Sequence, residues 1–322
     1  LAKDRRFTFE PDCITQSLYR PFTKQYLYFN RRFNEMVYQM PRIFPEAESE
    51  NLVIMTTAKG AKVFSLTISA VIPDLNSMEA GAQCFPLYLY GEATQQAGDA
   101  DLFSMQTETG LCRRDAITDE GLAHFRTVYS GEQISKEDLF YYVYGIMHSP
   151  DYRERYADNL TRELPRIPLV NEAADFWAFS KGGRDLAALH LNYETVEPYP
   201  AIIETKTKTL TDADYRVTKM KYGKQGKEND LTTIHYNDKI TITGIPLETY
   251  DYIVNGKPAL DWAVERQCVK TDKASGIVND ANDWAIETMN NAKYPLELVL
   301  RVITVSLETM KIVHNLPALD ID

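Results

Sequence analysis

The stretch from residue 138 to residue 169 constrains the fold most, because two helical patterns of opposite character meet there at a proline. In its first half, apolar and aromatic side chains recur at helical spacing, at Leu139, Tyr142, Val143, Ile146 and Met147. A helix that is apolar on nearly every side is buried, and Ser135 with Asp138 predicts a capping box at its start. Ser149-Pro150 predicts the start of a second helix, which Pro165 and Pro168 end. The stretch therefore predicts a buried helix followed by a helix with an Arg- and Tyr-rich polar face.

Strand-like and helix-like patterns follow one another in blocks along the chain. Residues 51–75 predict a hairpin that turns at Lys59-Gly60, with a half-buried strand at 63–72, and residues 85–90 predict another strand. Further strands are predicted at 201–207, 215–222, 231–236 and 239–243, with a polar hairpin tip at 224–230. Helices are predicted at 259–266 and 296–314, a break between two helices at Gly182-Gly183, and loops at 91–111 and 273–283. Strands segregated from helices in the order β-α-β-α indicate an α+β fold with mainly antiparallel sheets.

A chain of 322 residues is long enough to bury a large core. We expect residues 1–322 to form one domain with four subregions: a β-rich part at 1–134, a helical scaffold at 135–194, a β-hairpin region at 195–244 and a helical part at 245–322. No apolar run approaches the length of a membrane span and no secretory signal opens the chain, which starts at Leu1 as a fragment or processed chain would. Four widely spaced cysteines predict reduced thiols and a cytoplasmic protein.

The charge is strongly polarised along the chain, although the net charge of −11 is unusual for a nucleic-acid-binding protein. Residues 19–45 carry five cations against one acid, interleaved with aromatic side chains, and residues 216–227 carry five cations and no acid. Such clusters suit phosphate contacts, and a basic hairpin can follow a DNA backbone or enter a major groove. We expect Lys219 and Lys221 to share one strand face. The candidate DNA-binding residues are Arg20, Lys24, Arg31, Arg32, Arg216, Lys219, Lys221, Lys224 and Lys227.

Other chemistry has weaker support in the sequence. The motifs of P-loop ATPases, serine hydrolases and zinc proteases do not occur. Glu204 and Lys206 form an E-x-K pattern typical of metal-dependent nucleases, with Asp185 as the nearest candidate for the further acid that such a site needs. His148 and His190 are interpreted as structural hydrogen-bonding residues. For Arg153, Arg155, Arg162 and Arg166 we favour an ion-pair face with neighbouring acids over phosphate contact.

Motifs spread over nearly the whole chain resemble one known family. They are the aromatic "LF-Y-YG-hSP-YR-rY--nL--elPRIP" pattern at residues 139–168, Tyr19-Arg20-Pro21-Phe22, Phe85-Pro86-Leu87-Tyr88, the LHLNYE run at 189–194, the YIVNGKPALDWAVER run at 252–266 and the SGIVNDAND run at 275–283. In this combination the chain is similar to the C-terminal specificity domain of single-polypeptide, ATP-dependent (type ISP) restriction-modification enzymes.

The resemblance implies a non-catalytic domain that reads a duplex DNA sequence for upstream adenine-N6 methyltransferase and nuclease modules. It also implies a parent polypeptide with an ATP-driven translocase, whose cofactors are S-adenosylmethionine, ATP and Mg²⁺, and no cofactor for this chain itself. Base-reading residues differ with each target and do not follow from the resemblance. Two alternatives stay open: a structural module that couples other domains of the parent protein, and a metal-dependent nuclease that uses Glu204 and Lys206.

Overall fold

The computed structural model describes residues 7–92 and 110–321. Its helices are α1 (Met40–Ile43), α2 (Asp119–Val128), α3 (Lys136–Ile146), α4 (Pro150–Arg155), α5 (Ala157–Leu160), α6 (Ala173–Leu191), α7 (Ala259–Arg266), α8 (Ala281–Asp283) and α9 (Tyr294–His314). Shorter 3-10 turns lie at Pro11–Cys13, Leu75–Ser77, Asp212–Tyr215 and Leu247–Asp251, and a π-helical turn at Trp284–Thr288 follows α8. Within the described ranges, no helix is long and apolar enough to cross a membrane.

The strands form several small sheets. Their bounds are β1 (Ile14–Arg20), β2 (Thr23–Tyr28), β3 (Val53–Thr57), β4 (Leu66–Ser69), β5 (Ile72–Pro73), β6 (Ala82–Pro86), β7 (Tyr88–Gly91), β8 (Cys112–Asp115), β9 (Ile202–Thr205), β10 (Lys221–Gln225), β11 (Glu228–His235), β12 (Ile240–Thr243), β13 (Ile253–Val254), β14 (Lys257–Pro258), β15 (Val269–Thr271) and β16 (Val278–Asp280). Three-stranded sheets have the orders β2-β1-β5 and β4-β3-β6, and a four-stranded sheet has the order β10-β11-β12-β9. β1 and β5 pair in parallel, and the other pairs described are antiparallel. The predicted α+β class with mainly antiparallel sheets is confirmed.

Helices α3 and α6 form the centre of one hydrophobic core. α3 begins at the predicted capping box, in which Ser135 Oγ accepts a hydrogen bond from the Asp138 backbone N–H and the Asp138 carboxylate accepts one from the Ser135 backbone N–H. Its Tyr142 side chain is fully buried against the rings of Phe176 and Phe179 of α6. Ser149 caps α4 as predicted, but the helical segment ends at Leu160, before Pro165 is reached. The buried helix predicted from the sequence therefore lies at the centre of one of the hydrophobic cores.

The break predicted at Gly182-Gly183 is wrong, because α6 runs without interruption from Ala173 to Leu191. A Cβ atom on Gly183 would overlap the carbonyl oxygen of Tyr141, and one on Gly145 would overlap the carbonyl oxygen of Phe179. The glycines thus allow the backbones of α3 and α6 to touch. Close packing at this crossing outweighs the low intrinsic helix propensity of glycine.

A second core lies in the C-terminal half, where the four-stranded sheet packs with α7 and α9. α9 takes part in both cores: Val299, Val302 and Val305 lie in the C-terminal one, and Val313 reaches the core of α3 and α6. The helix was predicted from residue 296 and begins two positions earlier, and α7 has the predicted bounds. α9 therefore joins the two halves of the chain.

Three predicted local structures differ from the observed ones. The half-buried strand at 63–72 is a shorter strand, β4, that is buried on both faces, because α6 packs on it; just before the strand, Asn255 N–H donates to Ser65 Oγ. The strand at 85–90 is two strands interrupted at Leu87. The loop at 273–283 contains β16, which pairs with β15. The loop at 91–111 lies mostly outside the described residues.

The strand predicted at 215–222 is also wrong, since β10 starts at residue 221. The backbone of Val217 pairs with a side chain instead of a strand: its N–H donates to Asn282 Oδ1 at 3.0 Å, and its carbonyl accepts from Asn282 Nδ2 at 2.8 Å. Nearby, the Val269 N–H donates to the Thr218 carbonyl. Residues 216–219 are therefore attached to α8 and to the β15–β16 hairpin.

Candidate nucleic-acid interface

The basic hairpin predicted from the sequence is formed by β10 and β11. Gly226 and Lys227 make its two-residue turn, and Gly226 has a φ of +66°, a left-handed conformation that glycine adopts readily. Lys221, Lys224 and Lys227 are exposed. The hairpin therefore presents three candidate lysines to solvent.

The grouping of these lysines differs from the prediction. Lys219 precedes β10, so it does not share a strand face with Lys221. Instead, the register shifts between Tyr222 and Gly223, and this irregularity offsets the usual alternation of side chains. Lys221 and Lys224 consequently line one shallow groove together with Tyr222, Asn229 and His235, and Lys224 Nζ donates to Asn229 Oδ1 at 2.5 Å. We call this surface the lysine groove; no Asp or Glu is among the described residues that line it.

Three of the other candidate cations are held in ion pairs. Arg20 lies 2.8 Å from Asp74, and Lys24 Nζ lies 2.5 Å from Glu194 Oε2, with side chains 17% and 20% exposed. Arg216 pairs with Asp280 and is about half exposed. Arg31 and Arg32 are exposed in a turn, and the Arg32 guanidinium lies 5.5 Å from the Phe7 ring centroid. Of the nine candidates, Arg31, Arg32 and the four lysines of residues 219–227 are thus exposed and form no ion pair within the described ranges, and the DNA-binding roles stay predictions.

A second cationic surface was not predicted from the sequence: a cleft of about 690 Å³ lies between the β1–β2 and β15–β16 hairpins. Arg266, Lys270 and Lys273 lie on its wall beside Cys268. Burial raises the pKa of the Cys268 thiol, while the charges of Arg266, Lys270 and Lys219 act in the opposite direction. Lys219 therefore lies near this cleft. Its walls come from residues about 240 positions apart, so no local pattern could have revealed it.

The Arg-rich segment of α4 and α5 is only partly the ion-pair face that was predicted. Arg166 does pair with Glu163, at 2.7 Å. Arg153 points inward, where its Nε donates to the Met147 carbonyl at 2.9 Å, and burial lowers its pKa. The prediction is wrong for Arg153, which supports the Pro150 corner from inside.

The two histidines singled out in the sequence are confirmed as buried hydrogen-bonding residues. His190 Nδ1 lies 2.6 Å from the Tyr144 hydroxyl, and His190 Nε2 lies 2.9 Å from Thr309 Oγ1 of α9. His148 Nδ1 lies 2.8 Å from the Tyr144 carbonyl. Burial lowers the pKa of His190 to about 3 and that of His148 well below its usual value. Both rings are thus neutral links inside the fold.

The E-x-K pattern lies at the edge of the four-stranded sheet. Glu204 is exposed on β9, and Lys206 follows the end of that strand. Asp185, the candidate further acid, lies on α6 and pairs with Lys181 at 2.5 Å. Among the described residues there is no group of three or more His, Cys, Asp or Glu side chains that could hold a metal ion. The geometry gives the nuclease alternative no support.

Solved structures similar to this chain are DNA complexes of longer chains. One is the ATP-dependent Type ISP restriction-modification enzyme LlaBIII bound to DNA, with 36% identity and a TM-score of 0.83. The match covers 99% of this chain and 19% of the LlaBIII chain. A nuclease-deletion mutant of the Type ISP enzyme LlaGI, in complex with a DNA substrate mimic, matches with 37% identity and a TM-score of 0.80 over 100% of this chain and 26% of that one. A DrdV–DNA complex matches with 33% identity and a TM-score of 0.78, over 98% and 29% of the two chains.

This chain thus spans less than a third of the length of each of these proteins. No curated protein matches it. The model of the Type ISP C-terminal specificity domain matches residues 1–298. The chain belongs to the family of Type ISP C-terminal specificity domains.

Proposed function

We propose that this chain recognises a target sequence in duplex DNA on behalf of the methyltransferase and nuclease modules of a larger restriction-modification polypeptide. The observation that carries the proposal is the match over essentially the whole chain to specificity domains in structures that contain DNA. The exposed lysine groove adds a surface suited to a phosphate backbone. Its two lysines project from one hairpin, a shape that fits a DNA groove.

In this function the lysines position the chain and do not specify the sequence. Contacts from Lys221, Lys224 and Lys227 to phosphates set the register on the duplex, because phosphates carry no sequence information directly. Side chains on neighbouring loops and hairpins then read base edges in the groove. The negative net charge is compatible with this role, since screening limits the reach of the distant acids to about 8–10 Å at moderate salt.

The chain itself acts without catalysis and without a cofactor of its own in this proposal. The parent polypeptide would carry the adenine-N6 methyltransferase, the ATP-driven translocase and the nuclease, with S-adenosylmethionine, ATP and Mg²⁺ as their cofactors. The partners of this chain would be the duplex and the upstream modules. A cytoplasmic location suits its four free cysteines.

The test is the salt dependence of duplex binding, measured by fluorescence anisotropy with a random-sequence duplex at about 50 and about 200 mM salt. The triple variant Lys221→Gln/Lys224→Gln/Lys227→Gln is compared with Lys59→Gln/Lys181→Gln/Lys311→Gln, which removes the same charge at exposed positions elsewhere. We expect steeply salt-dependent binding that the first variant weakens and the second retains. If duplex binding weakened equally in both variants, the lysine groove would not be part of the DNA interface.

The coupling-module alternative gives a different result in the same experiment. A domain that binds only protein would show no duplex affinity at the lower salt concentration, and its affinity for the upstream module would remain. That outcome would contradict DNA recognition by this chain.

A further inference from the structure

The cleft beside Cys268 is built from three separated parts of the chain. The β1–β2 hairpin contributes one wall through Tyr19 and residues 23–25, and the β15–β16 hairpin contributes the opposite wall. The end of α7 and the start of the π-helical turn form the remaining lining, with Gln267 and Trp284. A volume of about 690 Å³ is large enough to admit part of an extended ligand.

The acids that line the cleft are already engaged by other groups. Partial burial raises the pKa of Asp280, but hydrogen bonds from Asn282 and the Arg216 guanidinium outweigh that effect. The pKa of Asp280 is therefore lowered overall. Asp272 accepts hydrogen bonds from the backbone N–H groups of Ala274 and Ser275, which close its own hairpin turn. Glu265 pairs with Lys257. Asp280 and Glu265 are thus each paired with a cation, while Asp272 carries a charge near Lys270, and the hydrogen bonds from Ser275 together with Lys270 lower its pKa.

Of the described cations that line the cleft, Lys24 pairs with Glu194, whereas the other three form no ion pair. Lys270 and Lys273 are exposed and have no hydrogen-bond or ion-pair partner among residues 7–92 and 110–321. Arg266 Nε is buried and has no acceptor in those ranges. Gln267 is 4% exposed, and its side-chain oxygen also has no partner there. The lining therefore holds more unsatisfied donors than acceptors, as a site for an anion does.

Aromatic rings flank the same entrance. The Tyr26 ring lies 5.2 Å from the Trp284 ring, and Tyr26 is 58% exposed although it is a large ring. An exposed ring beside a cationic cleft is typical of surfaces that stack on sugars or bases while cations hold the backbone. The combination distinguishes nucleic acid from a simple anion.

We propose that this cleft binds a phosphate group of the DNA backbone, as a second contact separate from the lysine groove. This inference rests on the proposed function, because it names a further part of the same DNA-binding surface. Lys270 and Lys273 hold the phosphate from the hairpin side, and the Tyr26–Trp284 pair supports the adjoining nucleotide. Lys219 extends the cationic surface from the cleft toward the lysine groove.

Cys268 supplies a local reporter, since it lines the cleft and is partly exposed. The rate of its alkylation by iodoacetamide is measured by mass spectrometry with and without saturating duplex, and Cys112 in the same molecule is the internal control. We expect the duplex to slow alkylation of Cys268 several-fold and to leave Cys112 unchanged. The variant Lys221→Gln/Lys224→Gln should retain this protection once the duplex is raised to saturation.

The variant Lys270→Gln/Lys273→Gln tests the contact itself. It should lose the protection of Cys268 and reduce the slope of log K against log salt by about 0.9 for each phosphate contact removed. Duplex binding with no protection of Cys268 and an unchanged slope would overturn the cleft but leave the proposed function standing. No duplex binding at all would overturn both.

A further arm separates the two sources of phosphate. ATP replaces the duplex at the same phosphate concentration in the alkylation experiment. Protection of Cys268 by the duplex and not by ATP supports a backbone site. Equal protection by ATP would assign the cleft to a free nucleotide and overturn the proposal.

Discussion

Gly145 of α3 and Gly183 of α6 face each other so closely that a Cβ atom on Gly183 would lie 2.8 Å from the backbone nitrogen of Gly145. The contact lies in the core that holds Tyr142, Phe176 and Phe179. Any side chain at either position has to push the two helix backbones apart. The crossing therefore fixes the distance between the helices around which the N-terminal half packs.

The first prediction follows from that contact. Gly183→Ala should lower the free energy of unfolding by about 3 kcal/mol, because the added methyl group overlaps backbone atoms that cannot rotate away. Urea unfolding followed by circular dichroism measures the change. Gly121→Ala in α2 is the matched control, because its Cβ would make only an ordinary contact, at 3.4 Å from the Thr118 hydroxyl oxygen. Equal effects in the two variants would show that helix propensity, not the crossing, determines the cost.

The second prediction concerns acid stability. His190 has a pKa of about 3 in the folded chain against 6.5 as its ordinary value, and burial lowers the pKa of His148 as well, beside the charge of Arg153. Below about pH 6.5 the unfolded chain therefore binds more protons than the folded chain. The free energy of unfolding is unaffected by the protonation of these histidines above that pH and falls as the pH decreases toward 3. The expected slope is about 1.4 kcal/mol per pH unit for each histidine in that window.

Unfolding titrations in urea at several pH values between about 7.5 and 5 measure that slope. His190→Gln should reduce it, whereas His124→Gln, at an exposed position, should not. An unchanged slope in His190→Gln would contradict the assignment to this histidine.

The third prediction concerns Asn282, which pairs with both backbone groups of Val217. Asn282→Asp removes the amide donor, leaves the Val217 carbonyl without its partner and places a carboxylate beside Asp280. We expect a loss of about 2–3 kcal/mol in the free energy of unfolding. The variant Asn279→Asp, on the exposed face of β16, makes the same charge change and should cost far less. Their thermal unfolding midpoints are compared. Equal decreases would show that the added charge, and not the lost hydrogen bond to Val217, causes the loss of stability.

The fourth prediction separates a structural lysine from a DNA-binding one. Lys24 pairs with Glu194, whose side chain is 12% exposed and also accepts a hydrogen bond from the Tyr294 hydroxyl. Lys24→Met should therefore cost about 1–2 kcal/mol of stability, discounted for the partial exposure of the pair. Lys221→Met should leave stability nearly unchanged and reduce the salt dependence of duplex binding. The reverse pattern would return Lys24 to the DNA-binding residues.

Local sequence patterns predicted those parts of the fold whose causes are local. The Ser135–Asp138 capping box, the cap at Ser149 and the bounds of α7 depend on neighbouring residues, and the structure confirms them. The break predicted at Gly182-Gly183 was wrong because both glycines are required by distant contacts, Gly183 by α3 about 40 positions away and Gly182 by the Leu316 side chain. The segment at 215–222 has strand-like residues, but the side chain of Asn282 takes both backbone hydrogen bonds of Val217 that a neighbouring strand would make.

In the candidate site, too, the features with local causes were predicted and those that depend on distant residues were not. The basic hairpin was visible because its lysines and its Gly226 turn are adjacent in the sequence. The register shift at Tyr222 and Gly223, which brings Lys221 and Lys224 into one groove, depends on pairing with β11 and left no signal in the sequence. The pairing of Arg20 with Asp74 and of Lys24 with Glu194 also required the fold.

The position of Tyr26 against Trp284 has a practical consequence for changing what such a domain recognises. An exchange of residues 195–322 alone between two relatives would transfer one wall of the cleft and leave the other wall behind. The donor hairpin at 269–280 would then face a β1–β2 hairpin from the other relative. The Lys24–Glu194 pair would come from one relative only, although it lies directly beside the junction between the two sequences. A chimera designed on this fold should therefore move residues 14–28 together with the C-terminal half.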